Sequence, residues 1–309
     1  MAGVAGVSGG RAPTVSALMP VRDGQRHLRG AVCSMLAQTW QDLELIVVDD
    51  GSRDATPEIL AGIDDDRLVV VRTEAHGVAA ALNVGLGRAR GPLVVRADAD
   101  DLSHPTRVEV QVQWMRAHPE VSVLGTMARV LGPDGQLEGT IPVPVGWEAV
   151  AAALYRHNPL IHGTVMLRRS PLLAVGGYRE VACEDYDLWA RLHRTGHRLA
   201  NLAEVLYDYR VHPQAVSTHR GAELLAAAAV VREDLWACGR PPAAHGRNEL
   251  GGPHAALLRR SHVIGELRLA REEQRHGLLS AGGRRAWGAL LELARSPACV
   301  LATPAPLRR

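Results

Sequence analysis

Leu43-Glu44-Leu45-Ile46-Val47-Val48-Asp49-Asp50-Gly51-Ser52 is a nearly unbroken apolar run that stops at two acids and a glycine. Such a run, bounded by a turn signal, reads as a strand buried on both faces, as in a parallel sheet. Upstream, Leu28, Ala31, Val32, Met35 and Leu36 recur at i, i+3, i+4, i+7 and i+8, the spacing of an amphipathic helix. Before that helix, Val15 to Met19 reads as a strand ended by Pro20. Strand, helix, strand is a βαβ unit. Downstream, Thr56-Pro57 has the form of an N-cap followed by Pro at the first helical position. Leu68 to Val71 predicts a third strand, Val78 to Arg90 a helix, and Leu93 to Ala97 a fourth strand that runs into Asp98, Asp100 and Asp101.

Beyond the acids, Ser103-His104-Pro105 predicts a helix reaching about His118, Val121 to Leu131 a strand, and Pro133-Asp134-Gly135 a turn. Val165 to Arg168 reads as a strand leading to a Gly176-Gly177 break, and Glu184 to Arg194 has helical spacing through Leu188, Trp189 and Leu192. After residue 218 the chain is rich in Ala, Leu and Arg with helical periodicity, interrupted over 239–253. The expected architecture is α/β: a Rossmann-like mixed sheet flanked by helices. A flexible leader covers 1–13, the main domain 14–218, and a helical, basic C-terminal extension 219–309.

Composition narrows the function. The 309 residues are 47% hydrophobic and 22% charged, ordinary for a folded protein. All 35 basic residues are Arg, so no mechanism here uses a Lys. A net charge of +2 and 4% aromatics, not interleaved with basic patches, give no support for nucleic-acid binding. Residues 219–309 nevertheless carry 14 Arg against 8 acids. There Arg259, Arg260, Arg268, Arg271 and Arg275 alternate with Leu257, Leu258, Ile264, Leu267 and Leu269. That pattern fits either a helix packed on the main domain or a peripheral membrane contact. The four cysteines form no C-x-x-C pair, and neither a secretory signal nor a membrane span is seen, which together suggest the cytoplasm.

Three acidic clusters fall at strand ends or a helix start, where an open α/β sheet binds its ligands. Asp49-Asp50 could accept from a base N–H or a ribose hydroxyl, or could cap a turn. Asp98 and Asp100, one residue apart, repel unless a cation lies between them, and hard oxygen ligands favour Mg²⁺ or Mn²⁺ with open positions for substrate phosphates. Glu184-Asp185-Tyr186-Asp187 suits a helix first turn through the macrodipole alone.

Together the stretches Val15 to Gly24, Ser34 to Thr39, Leu45 to Ser52, Arg96 to Asp101, Gly176 to Arg179 and Glu184 to Trp189 resemble glycosyltransferase family 2, inverting enzymes of the GT-A fold, over about residues 14–215. The resemblance implies that Pro20, Val21, Asp49 and Asp50 line a nucleoside pocket. It implies that Asp98 and Asp100 form a D-x-D element for metal and diphosphate, and that Asp185 is the catalytic base. His212 looks like a late metal or diphosphate element, while His162 and Glu184 fall on the acceptor side. Two positions depart from the family pattern. Arg22-Asp23 stands where Tyr-Asn is frequent, and Leu82-Asn83 where many members have Arg-Asn, so Asn83 is left to bond the ribose or base.

The implied reaction is transfer of a sugar from a nucleotide-diphosphate sugar, UDP by default, to a saccharide or lipid-linked acceptor with Mn²⁺ or Mg²⁺, in cell-surface polysaccharide or glycolipid synthesis. The rivals are a degenerate GT-A nucleotide-binding scaffold and a nucleotidyltransferase. The latter lacks its usual Gly-rich loop and Lys here.

Overall fold

The structure, a computed structural model, describes residues 12–132, 135–211 and 221–239. The chain divides into two units, Met1–Val211 with Ala227–Pro241, and His212–Ala226 with Pro242–Arg309. His212 and the 257–275 segment lie outside the described residues.

In the first unit the order is β1 (Val15–Val21), α1 (Leu28–Leu36), β2 (Leu43–Asp50), α2 (Thr56–Ala61), β3 (Leu68–Thr73), α3 (Val78–Arg88) and β4 (Leu93–Arg96). There follow β5 (Leu102–Ser103), α4 (Arg107–Ala117), β6 (Val121–Leu131), β7 (Leu137–Ile141), α5 (Trp147–Leu154) and a 3₁₀ turn at His162–Thr164. β8 (Met166–Arg168), α6 (Arg169–Ala174), α7 (Glu184–Arg194) and β9 (Arg198–Arg210) complete it, and α8 spans Gly221–Cys238. The strands form one sheet in the order β3-β2-β1-β4-β8-β6-β9-β5, with β7 beside β6. β3, β2, β1 and β4 are mutually parallel, whereas β8 is antiparallel to both β4 and β6. This is the mixed, helix-flanked sheet expected from the sequence.

All eight positions of β2 are buried, as its continuous apolar run requires. Glu44, the polar residue within the apolar run, is held at the opposite end of β2 from Asp49. It accepts from Ser16 Oγ at 2.6 Å and from the Arg90 backbone N–H and Nε at 2.9 and 2.8 Å. Val15, Ala17, Met19, Leu45, Val47 and Val95 pack with Val32 and Met35 of α1 and Val108, Val112 and Met115 of α4 in the main core. Burial at this density supplies most of the stabilisation, about 25 cal/mol per Å² of apolar surface removed from water.

Local readings are corrected at three places. Pro20 does not end β1, which continues to Val21, because pairing with β4 stops at Leu18 and no ladder donor is needed from Pro20 on that side. Ser103 does not open α4. It lies in β5 opposite Tyr207, and the helix begins at Arg107. Thr56 is inside α2 rather than its N-cap, its hydroxyl accepting instead from the Gly24 N–H at 2.9 Å.

Candidate active site

The parallel register brings the ends of β1, β2 and β4 to one edge. Val21 lies beside Asp49, and Leu18 beside Arg96, so Pro20, Asp49, Asp50 and Asp98 emerge from the same end of the sheet. Asp49 and Asp50 are both buried and engaged with backbone. Asp49 Oδ1 accepts from the Ser52 N–H at 2.9 Å, and its Oδ2 lies 3.5 Å from Arg72. Asp50 takes the His76 and Gly77 N–H groups at 2.9 and 2.8 Å, so it fastens the loop that opens α3. Gly51, at φ +72°, makes the turn that follows them.

Asn83, on α3, meets the backbone of Tyr178. Its amide donates to the Tyr178 carbonyl at 2.8 Å and accepts from the Tyr178 N–H at 2.9 Å. Both ends thus bond backbone, and Asn83 clamps the Gly176–Gly177 break to α3.

After β4, Asp98 forms an ion pair with Arg96, whose side chain is 6% exposed. The Asp98 N–H donates to Tyr207 Oη at 3.0 Å. Asp101 accepts from the Arg210 N–H at 2.6 Å, and Arg210 Nε donates to the Asp100 carbonyl at 2.8 Å, so β9 braces the acidic corner. Burial, reinforced by the charges of Asp98 and Asp100, raises the Asp101 carboxyl well above the usual range. Asp98 is raised as well, mainly by burial, with Arg96 opposing the rise. Arg107 supports the corner from below, donating from Nη2 to the Arg96 carbonyl at 2.7 Å and lying over the Tyr207 ring. Burial pushes its guanidinium down to about 10.

The α7 side meets this corner through the 3₁₀ turn. A Cβ at Gly163 would stand 2.7 Å from Asp98 Oδ2 and 2.5 Å from Tyr207 Oη, so only glycine lets the turn approach. Next to it, His162 Nε2 is 3.3 Å from Tyr178 Oη and its Nδ1 is 3.6 Å from Glu184. Burial, with Arg96 second, lowers His162 well below its ordinary value, so the ring is neutral and its contact with Glu184 is not an ion pair at neutral pH. Burial and the neighbouring Asp185 push Glu184 up to about 7.

Asp185 sits in the first turn of α7. It accepts from the Tyr186 N–H at 2.7 Å on Oδ1 and from Asn158 Nδ2 at 2.6 Å on Oδ2. Its carboxyl is raised by burial, while those two hydrogen bonds and Arg96 pull the other way. The structure thus joins Asp98, His162, Glu184 and Asp185 around the buried Arg96. Arg96, Asn158, Gly163, Tyr178 and Tyr207 were not singled out by sequence reasoning, and the one visible signal was a charge inside the apolar stretch Leu93 to Ala97.

The chain is similar to known proteins. The chain is 35% identical over 206 residues to EpsE of Bacillus subtilis (strain 168), covering 64% of this chain and 73% of that one. It is 30% identical over 204 residues to the amylovoran biosynthesis glycosyltransferase AmsE of Erwinia amylovora, covering 65% and 76%. It is 27% identical over 217 residues to the Escherichia coli UDP-Gal:alpha-D-GlcNAc-diphosphoundecaprenol beta-1,3-galactosyltransferase, covering 68% and 78%. Among solved structures, the mannosyltransferase PcManGT from Pyrobaculum calidifontis, in complex with GDP-Man and Mn²⁺, superposes with a TM-score of 0.61 at 20% identity, covering 94% of this chain and 83% of that one. S. aureus TarS 1-349 in complex with UDP-GlcNAc gives a TM-score of 0.59 at 17% identity, covering 94% and 82%. These likenesses give the GT-A fold. The family description "Glycosyl transferase family 2" matches residues 16–176, and with the acidic corner after β4 and the carboxylates opening α7 in place, the chain belongs to glycosyltransferase family 2.

Proposed function

We propose that this protein is a cytoplasmic, metal-dependent, inverting glycosyltransferase that moves a sugar from a UDP-sugar to a hydroxyl of a saccharide or lipid-linked acceptor in cell-surface polysaccharide synthesis. The observation that supports the reading is the close approach of Gly163 in the 3₁₀ turn to Asp98, with the neighbouring His162 at 3.6 Å from Glu184, the residue before the proposed base Asp185. The names of AmsE and the E. coli galactosyltransferase support the polymer and lipid-linked acceptor classes. Among the described residues Cys33, Cys183 and Cys238 form no disulfide, and no helix there is long and apolar enough to cross a membrane.

Asp98 and Asp100 are hard oxygen donors, and among the described residues no three His, Cys, Asp or Glu side chains gather as a closed cage. That donor set fits Mg²⁺ or Mn²⁺, which is held by one or two carboxylates and completed by substrate phosphates. His212 is a further candidate ligand, outside the described residues. Such an ion would neutralise charge on the departing diphosphate.

The protein's own residues do the rest. Pro20, Val21, Asp49 and Asp50 shape the nucleoside end, the two acids through the loops they fasten and the lone pairs left to them. Asp185 accepts the acceptor hydroxyl proton as that oxygen attacks the anomeric carbon from the face opposite the diphosphate. Glu184 and His162 line the acceptor side. The test is incubation with UDP-, dTDP- and GDP-sugars and saccharide acceptors, with Mn²⁺ or EDTA, reading nucleotide release and the anomeric configuration of the product by NMR. Metal-dependent transfer with inversion is expected; retention would overturn the single-displacement reading.

A further inference from the structure

Arg96 is the last residue of β4 and is buried to 5% exposure within the acidic field. Its guanidinium pairs with Asp98, and its Nε meets no acceptor among the described residues. Its backbone is fixed from two sides, since the Arg96 N–H donates to the Val165 carbonyl at 3.0 Å and the Arg96 carbonyl accepts from Arg107. The head group is therefore held over Asp98 by a rigid support. A buried charge without a counter-charge is strongly destabilising, so removing either partner of this pair is costly to the other.

The same carboxylate is the one read above as a ligand for metal and diphosphate, and the present inference rests on that reading. A divalent cation arriving alone must take Asp98 from Arg96 and leave a buried guanidinium unpaired. A cation arriving with a nucleotide diphosphate brings acceptor oxygens that can receive the freed guanidinium, including its idle Nε–H.

We propose that Arg96 is an internal counter-cation that competes with metal for Asp98 and so couples metal binding to donor binding. Arg96 opposes metal alone and accommodates metal with nucleotide. By linkage, metal must promote nucleotide binding by the same factor. Arg96 acts here as a positioning residue, through Asp98.

The test is Mn²⁺ binding, read from loss of the free-ion EPR signal and by calorimetry, with Mn²⁺ alone and with Mn²⁺ plus UDP or GDP. Wild type, Arg96→Gln, Arg96→Lys and Asp98→Asn are compared, with folding checked by circular dichroism. Removing the competing cation should tighten Mn²⁺ binding without nucleotide by about tenfold in Arg96→Gln. Arg96→Lys, which keeps the charge at shorter reach, should fall between Arg96→Gln and wild type, and stands in if Arg96→Gln does not fold. Asp98→Asn should bind Mn²⁺ more weakly than any of them. The proposal is overturned if Arg96→Gln and Arg96→Lys bind Mn²⁺ alone no tighter than wild type while wild type takes up Mn²⁺ with nucleotide. Absence of Mn²⁺ uptake by every form, with every nucleotide, would overturn the metal reading and this proposal with it.

Discussion

Asn158 donates its side-chain amide to Asp185 Oδ2 at 2.6 Å across 27 residues of sequence, while the backbone beside Asp185 occupies Oδ1. The carboxylate is thereby aimed, and its ionised form is favoured against the burial that raises its pKa. Removing the donor in Asn158→Leu should raise the Asp185 pKa further. The proposed base acts ionised, so the acid limb of the pH profile of kcat/KM should move up by about one to two units, since a hydrogen bond to a charged group contributes about 1.5–3 kcal/mol and one unit is about 1.4. An unmoved acid limb would show that Asn158 does not tune the base.

Loss of the base itself separates chemistry from binding. Asp185→Asn should slow transfer by about 10²–10⁴, the usual worth of general-base help, and leave Mn²⁺-dependent nucleotide binding near wild type. Asp100→Asn should weaken both. Transfer and nucleotide binding measured side by side on the two variants check this, and near-full activity in Asp185→Asn would remove the base from the mechanism.

Glu184 gives a stability signature. Its folded value, pushed up to about 7, lies above an unfolded value near 4.3. Between those values the native state binds more protons than the unfolded chain at this group, so the contribution of Glu184 to stability is fully present below about pH 4 and is lost as pH rises through 7. Glu184→Gln should flatten that decline, with about 1–3 kcal/mol of difference between pH 5 and pH 8. Urea unfolding of both proteins at the two pH values reads it; parallel slopes would contradict the raised pKa.

Asn83 and Gly177 should behave as one unit. Asn83→Ala removes two hydrogen bonds to the Tyr178 backbone and should cost about 1–3 kcal/mol. Gly177→Ala places a Cβ 2.5 Å from Asn83 Oδ1 at a φ of +68°, so it should destabilise by a similar amount and add only in part to Asn83→Ala, which relieves the clash but not the backbone strain. Chemical unfolding of the two single variants and the double variant is the check; fully additive losses would argue against a shared clamp.

The parallel half of the sheet was legible because each strand there carries its own signal. The run Leu43 to Asp50 is buried at every position, and α7 runs from Glu184 to Arg194 as its spacing indicates. β7 and β9 were not legible. β9 mixes Glu204 and Asp208 among apolar residues and pairs with both β6 and β5, so no single period marks it. In the site, carboxylates at strand ends announced themselves, but their partners did not. Asn158, Tyr207 and Gly163 owe their roles to packing between distant elements, and Asn83 carried no sign that its amide would be consumed by Tyr178.

The most direct test of the central claim is a thermal-shift panel with UDP, dTDP, GDP and CDP, each with and without Mn²⁺. A ligand at a hundred times its Kd adds about 2.7 kcal/mol, and each kcal/mol raises Tm by about 2–4 °C in a domain of this size. A shift of several degrees that requires both Mn²⁺ and one nucleotide, UDP foremost, is the predicted result. No shift with any nucleotide, with or without Mn²⁺, would contradict a working nucleotide-sugar site and leave a GT-A scaffold without its donor.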